Sequence, residues 1–321
     1  MSPRLSLAIE NGLTLSQPVS FIGATPANDL PKEFLGSQVV QPFKPFHDHF
    51  ASIGFAAIAE ADSTCHDAVV FLPRSKELAR AMICQACRRA SHLVVVDGAK
   101  TDGIDSLLKD IRKKVSVEGP ISKAHGKIFW FHSDEQAFAD WAAPEMQTVD
   151  GFNTVPGVFS ADGIDPASEL LSKALPPRLG AKVADLGAGW GYLSSHLLRD
   201  KNLVTLHLVE ADHAALCCAR TNVKDPRAKF HWADALKWTA AEPLDAVVMN
   251  PPFHTSRDAD PGLGQGFIRS AAHNLARSGE LWMVANRHLP YEATLSESFA
   301  RVEEVTGDNR FKVIRASRPR R

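Results

Sequence analysis

The chain has 321 residues, 45% of them hydrophobic and 23% charged, with a formal net charge of −1. At roughly 100–200 residues per domain this suggests two domains, long enough to bury a sizeable core without disulfides or a metal. No global field steers the chain toward a charged partner, and no apolar run reaches the roughly 20 residues that cross a bilayer, so the expectation is a cytoplasmic protein with no membrane partner and no metal.

Residues 1–16 contain Glu10 and Asn11 and lack a cleavable signal pattern. Ala68–Leu72 reads as a short buried strand and Ser75–Ala90 as the helix after it; Leu93–Val96 is the next strand, Asp97-Gly98 turns the chain, and Ile104–Val115 is helical. Strands alternating with helices imply a parallel sheet covered by helices, yet nothing in this half resembles a phosphate or nucleotide loop. Cys84 and Cys87 form a lone CxxC within the first of these helices; zinc would need a second pair, so buried helix residues are the better reading. With Cys65, Cys217 and Cys218 the cysteine count is odd and the spacing shows no framework, which fits a reducing compartment.

The domain boundary falls between Asp140 and Gly157, where Ala143-Pro144 and Pro156-Gly157 punctuate the chain. Asp165 suits a helix N-cap and Pro166 the first helical position, with a helix to about Ala174. Strands follow near 182–185, 205–209, 229–231, 246–249 and 281–284, with helices at 192–199, 213–223 and 266–276. Residues 300–305 and 311–316 flank Thr306-Gly307-Asp308-Asn309, a hairpin signal with Gly and Asn available for positive φ. The chain closes on Arg310, Lys312, Arg315, Arg318, Arg320 and Arg321 with no acid after Asp308; such a tail either contacts phosphates or is a frayed terminus.

Two segments carry chemistry. Val183-Ala-Asp185-Leu-Gly187-Ala188-Gly189-Trp190-Gly191 lies where a strand gives way to a helix, the place where open α/β sheets bind ligands. A dinucleotide fingerprint needs GxGxxG/A, but the spacing here is GxGxG and Tyr192 holds the third small position. Asp185 would sit poorly beside a pyrophosphate and well beside the ammonium group of S-adenosylmethionine. Glu210 ends the next strand, where a carboxylate can accept from both ribose hydroxyls. Asp234, after the third strand, can accept the adenine amine, or can cap a helix. A glycine-rich turn with no ligand is the plain alternative.

At the fourth strand Asp245-Ala-Val-Val-Met runs into Asn250-Pro251-Pro252-Phe253. Two prolines stiffen the exit and push the residue before them into extended geometry. The Asn250 side chain and the Pro251 carbonyl are then two fixed acceptors for an exocyclic NH₂, which has two donors. Holding both donors aims the nitrogen lone pair, and Phe253 offers a face for stacking a base. A rigid turn at a sheet end is the competing reading.

These motifs resemble class I S-adenosylmethionine-dependent methyltransferases that act on amino groups. Residues 152–175, with Pro156-Gly-Val-Phe-Ser160 and Asp165-Pro-Ala-Ser168, look like the loop and helix before the cofactor strand in bacterial ribosomal RNA guanine-N2 methyltransferases, both the C-type enzymes that modify small-subunit RNA and the G-type enzymes that modify large-subunit RNA. Gly279–Asn286, Leu289-Pro-Tyr291 and Arg310–Arg315 resemble that family's fifth strand, following turn and closing strand. The resemblance implies two Rossmann-like methyltransferase domains in tandem. Residues 1–150 would be a degenerate copy serving substrate recognition or structure. Residues 151–321 would be catalytic, with a mostly parallel sheet ending in an antiparallel hairpin. It implies cofactor contacts from Asp185, Gly187, Ala188, Gly189, Gly191, Glu210 and Asp234, and target-base contacts from Asn250 through Phe253. The partner implied is ribosomal RNA or a ribosomal subunit, met by a monomer. The chain departs from the family at Trp190, where a smaller residue is usual. Other readings are a protein glutamine N5 or adenine N6 methyltransferase, and a catalytically idle RNA-binding or assembly factor.

Overall fold

The computed structural model describes residues 3–143, 146–252 and 261–320. The chain divides into two compact units, Met1–Glu145 and Met146–Arg321. Among the described residues each unit is built on one seven-stranded sheet.

Unit 1 runs α1 (Pro3–Glu10), β1 (Val19–Ile22), β2 (Gln38–Val40), α2 (Lys44–Ser52), β3 (Ala56–Ile58), β4 (Asp67–Phe71), α3 (Lys76–Arg89), β5 (Leu93–Ala99), α4 (Ile104–Ile111), β6 (Glu118–Lys123) and β7 (Gly126–His132). Its strand order is β3-β2-β1-β4-β5-β7-β6, parallel except at β7, which pairs antiparallel with both neighbours. β1 and β4 are buried at every position, as strands covered on both faces must be. Ser75 caps α3 by accepting from the Leu78 N–H. Cys84 and Cys87 are on the buried face of this helix, in the core, and burial pushes the Cys87 thiol up to about 12.

Asp97 and Gly98, expected to turn the chain, instead continue β5, paired with Ile128 and Lys127 of β7. Asp97 is buried and paired with the Arg4 guanidinium. That partner from α1 makes an Asp-Gly pair tolerable inside a strand. The helix expected to reach Val115 ends at Ile111.

Unit 2 opens with a short hairpin, β8 (Gln147–Val149) and β9 (Phe152–Thr154). It continues α5 (Pro166–Ala174), β10 (Lys182–Leu186), α6 (Tyr192–Leu197), β11 (Thr205–Glu210), α7 (His213–Asn222), β12 (Ala228–Trp232), β13 (Leu244–Met249), α8 (Pro261–Asn274), β14 (Leu275–Asn286), α9 (Glu292–Ser298), β15 (Phe299–Gly307) and β16 (Phe311–Pro319). The order β12-β11-β10-β13-β14-β16-β15 repeats that of unit 1 position for position, and only β16 runs antiparallel to its neighbours.

The β15–β16 connection forms without positive φ at Gly307 or Asn309; the Asp308 carboxylate closes it instead, accepting from the N–H groups of Arg310 and Phe311 at 2.7 Å each. As far as Arg320 the basic tail is no frayed end. β16 lies between β14 and β15, Arg315 pairs with Glu280 and Glu303, and buried Lys312 pairs with Glu292. Of the described residues, no helix is long and apolar enough to cross a membrane.

Because the sheets share one order, hydrogen-bond register equates their residues. The Gly187 N–H donates to Val209 O at 2.8 Å, and the Gly23 N–H donates to Val40 O at 3.0 Å. Leu186 pairs with Val209 and Met249; Ile22 pairs with Val40 and Val70. Asp185 therefore corresponds to Phe21, Glu210 to Gln41 and Asn250 to Phe71. Gln41 closes its own turn, donating from Nε2 to Ala24 O at 2.6 Å. Unit 1 is the same fold with the polar residues of the motifs replaced.

Candidate functional site: a glycine turn facing an Asn-Pro-Pro strand end

Adjacent parallel strands β10 and β13 bring the two motifs together at their carboxyl ends. Gly187, Gly189 and Gly191 all take positive φ, of 76°, 55° and 92°, the left-handed region where a side chain costs most. They differ in surroundings. A Cβ on Gly191 would lie 2.9 Å from Val223 Cγ2, so this glycine serves packing at the start of α6. A Cβ on Gly189 would meet nothing within 4 Å. Gly189 leaves open space above the turn.

Asp185 is fully buried. Ser194 Oγ donates to its Oδ2 at 2.7 Å, while Oδ1 has no hydrogen-bond partner among the described residues. Burial pushes the carboxyl up to about 7, against the bond from Ser194. A buried carboxylate oxygen left unmatched is costly, and a cationic ligand group would match it.

Glu210 ties the turn to the next strand. Its Oε2 accepts from the Gly189 N–H at 2.7 Å and its Oε1 from the Asp212 N–H at 2.8 Å. Desolvation pushes it up to about 7, partly offset by these backbone bonds. Each oxygen keeps a lone pair for a further donor. Asp234 heads a turn rather than a helix, its Oδ1 accepting from the Leu236 N–H at 2.9 Å. Ala188 is nearly buried and lines the same cavity as Gly187 and Gly189.

Asn250 follows β13 directly. Its Nδ2 donates to Asp165 Oδ2 at 2.9 Å and to Ser168 Oγ at 2.8 Å. Pro251 is buried and Pro252 exposed. Phe253 lies outside the described residues. Asn250, Asp165, Ser168, Gly187 and Gly189 line one cavity.

Trp190, next to Gly189, lines the same cavity. Its indole is buried, donates from Nε1 to Phe159 O at 2.9 Å, and packs against Phe152 with ring centroids 4.9 Å apart. It shares one apolar cluster with Val158, Ala215 and Cys218. The bulky residue in the glycine turn thus anchors the 152–164 loop. Three contacts were not foreseen from sequence: Ser194 on Asp185, Trp190 on Phe159, and the Asp165–Ser168 pair on Asn250. The last had a signal, because Asp165 and Ser168 sit three apart across a helix start.

The duplicated sheet, the glycine turn after its first strand and the Asn-Pro-Pro at the end of its fourth define a class I S-adenosylmethionine-dependent methyltransferase. The family model for the methyltransferase small domain matches residues 150–315. Proteins named ribosomal RNA small subunit methyltransferase C match along most of their length. The one from Shewanella halifaxensis is 30% identical over 88% of this chain and 90% of its own. That from Erwinia tasmaniensis is 30% identical over 84% and 81%, and that from Shewanella sp. strain MR-4 is 28% identical over 95% and 96%. The solved T. thermophilus 16S rRNA N2 G1207 methyltransferase, in complex with AdoMet and guanosine, shares the fold at a TM-score of 0.78. It is 23% identical and the match covers 98% of this chain and 92% of that one. The chain belongs to the ribosomal RNA small subunit methyltransferase C family.

Proposed function

We propose that the protein transfers a methyl group from S-adenosylmethionine to the exocyclic N2 of a guanine in small-subunit ribosomal RNA, the guanine corresponding to the one modified by the T. thermophilus relative. The observation that carries this reading is the strand end at Asn250, where a locked amide faces the same cavity as the glycine turn.

The residues fit the cofactor. Asp185 Oδ1 would take the ammonium group, Glu210 the ribose hydroxyls, Asp234 the adenine amine, and Gly187, Ala188, Gly189 and Gly191 the close backbone approach. When bound, S-adenosylmethionine supplies an electrophilic methyl group. Asn250 Oδ1 and the Pro251 carbonyl accept the two N–H bonds of the target amine, which aims its lone pair and stabilises the positive charge growing on nitrogen. Pro252 stiffens that segment, and Phe253 stacks the base after it leaves the helix. No general base is needed, because the methylated amine is acidic enough to lose its proton to water.

Unit 2 carries the chemistry. Unit 1, with Phe21, Gln41 and Phe71 at the equivalent positions, serves RNA recognition or structure. On this reading the enzyme works in the cytoplasm, as a monomer. The test is transfer of labelled methyl to purified 16S RNA and to assembled small subunits, with mass-spectrometric identification of the nucleoside. N2-methylguanosine is expected, with kcat reduced about 100–1000-fold in Asn250→Ala at unchanged cofactor affinity. Label in adenine or in protein glutamine would overturn the reading, and so would undiminished turnover in Asn250→Ala.

A further inference from the structure

We propose that Asp165 and Ser168 are positioning residues for the transfer: they fix the Asn250 amide so that its oxygen, and not its nitrogen, faces the target amine. This rests on the reading of Asn250 given above.

The argument is one of orientation. An asparagine side chain has two nearly isosteric orientations related by a half-turn, one presenting an acceptor and the other two donors. A target NH₂ needs the acceptor. At a strand end followed by two prolines, the backbone fixes where the side chain starts but not which way its amide faces. A carboxylate only accepts, so beside Asp165 Oδ2 only the Asn250 nitrogen can sit. The distances, 2.9 Å to Asp165 Oδ2 and 2.8 Å to Ser168 Oγ, give each Nδ2 hydrogen its own partner. The oxygen is what the side chain has left to offer.

One piece of local structure makes this arrangement. Asp165 is the N-cap of α5, its Oδ2 also accepting from the Ser168 N–H at 2.8 Å, and Pro166 sets the first turn. The cap geometry brings carboxylate and hydroxyl to one point. Ser168 is nearly buried, at 8% exposure, so its hydroxyl has little water to compete for it. The cap is therefore both the start of the helix and the clamp on a residue 85 positions later.

Asp165→Ser separates the two roles, because serine caps helices about as well as aspartate but lacks the acceptor-only oxygen that reaches Asn250. We expect kcat to fall about a hundredfold, with cofactor affinity held within about twofold and Tm nearly unchanged. In Asn250→Ala the same substitution should add no further loss, since Asp165 acts only through Asn250. A second readout needs no turnover. In nitrogen-labelled protein the Asn250 side-chain NH₂ should give a resolved pair of signals protected from exchange, and lose that protection in Asp165→Ser. Additive losses in the double variant would overturn the proposal, as would an unprotected wild-type NH₂ pair. If the wild type methylates no RNA while its NH₂ pair is protected, the functional reading fails and the clamp stands.

Discussion

Replacing Asp185 by Asn probes the part of the site where the fold works against itself. Asp185 is fully buried, with one oxygen held by Ser194 and the other unmatched. Burial lifts its pKa from 3.8 to about 7. In the unfolded chain the group ionises near 3.8, so between that pH and 7 the folded state holds a proton the unfolded state has lost. Its contribution to stability is full below 3.8 and falls as pH rises to 7, at 1.36 kcal/mol per pH unit, by about 4 kcal/mol in all. A ligand that places a cation beside Oδ1 favours the ionised form, so binding below pH 7 must expel a proton. Affinity should therefore rise with pH and level off above 7, standing about thirtyfold weaker at about pH 5.5 than at about pH 8. The assay is calorimetric titration with S-adenosylhomocysteine across that range, in paired buffers of different ionisation enthalpy. Desolvation also lifts Glu210 to about 7, so Glu210→Gln is run beside Asp185→Asn to separate the two protons. Asp185→Asn should bind more weakly at pH 8 and lose its share of the proton release. A wild-type affinity that stays flat over this range, with no proton released, would refute the assignment of Asp185 to a cationic group.

The glycines make a contrasting pair. Gly191→Ala should destabilise the protein by about 1–3 kcal/mol through backbone strain and the clash with Val223, while Gly189→Ala, which meets open space, should cost less stability and more cofactor affinity; urea unfolding and calorimetry of both variants would expose the opposite ranking. Trp190→Phe keeps ring packing against Phe152 but loses the bond to Phe159 O, so about 1 kcal/mol of stability should go, with faster amide exchange along residues 155–164. Unchanged exchange there would mean the indole does not anchor that loop.

What was legible in the sequence was what local chemistry decides. Helix α5 was readable at both ends, because an Asp N-cap followed by Pro fixes its first turn without outside help. The central strands of unit 2 were readable as apolar runs before a glycine turn or Asn-Pro-Pro. What was not legible depends on distant partners. β1, β2 and β3 are three or four residues long and acquire their identity only by pairing with one another and with β4. Asp97-Gly98 has the composition of a turn, and only Arg4, 93 residues away, makes it strand. The basic tail was ambiguous because its acids, Glu280, Glu292 and Glu303, lie on other elements. The site divides the same way: Asp185, Glu210 and Asn250 announce themselves within motifs, whereas the clamp joins Asp165 and Ser168 to an Asn250 more than 80 positions on.

The repeated sheet supplies its own control for the assignment of these polar residues. If Asp185, Glu210 and Asn250 were there to hold the fold, a second sheet of identical strand order would need them too. Unit 1 has Phe21 and Phe71, both buried, and a glutamine whose amide seals the turn from within. Burying an aromatic ring is favourable by a few kcal/mol, whereas a buried carboxylate with an unmatched oxygen is unfavourable. The architecture is therefore at least as well served by the residues of unit 1. Unit 2 keeps a carboxylate, a second carboxylate and an amide at the carboxyl ends of adjacent strands against that gradient, and under the proposed function a ligand that repays their desolvation would be the physical reason for them to be there.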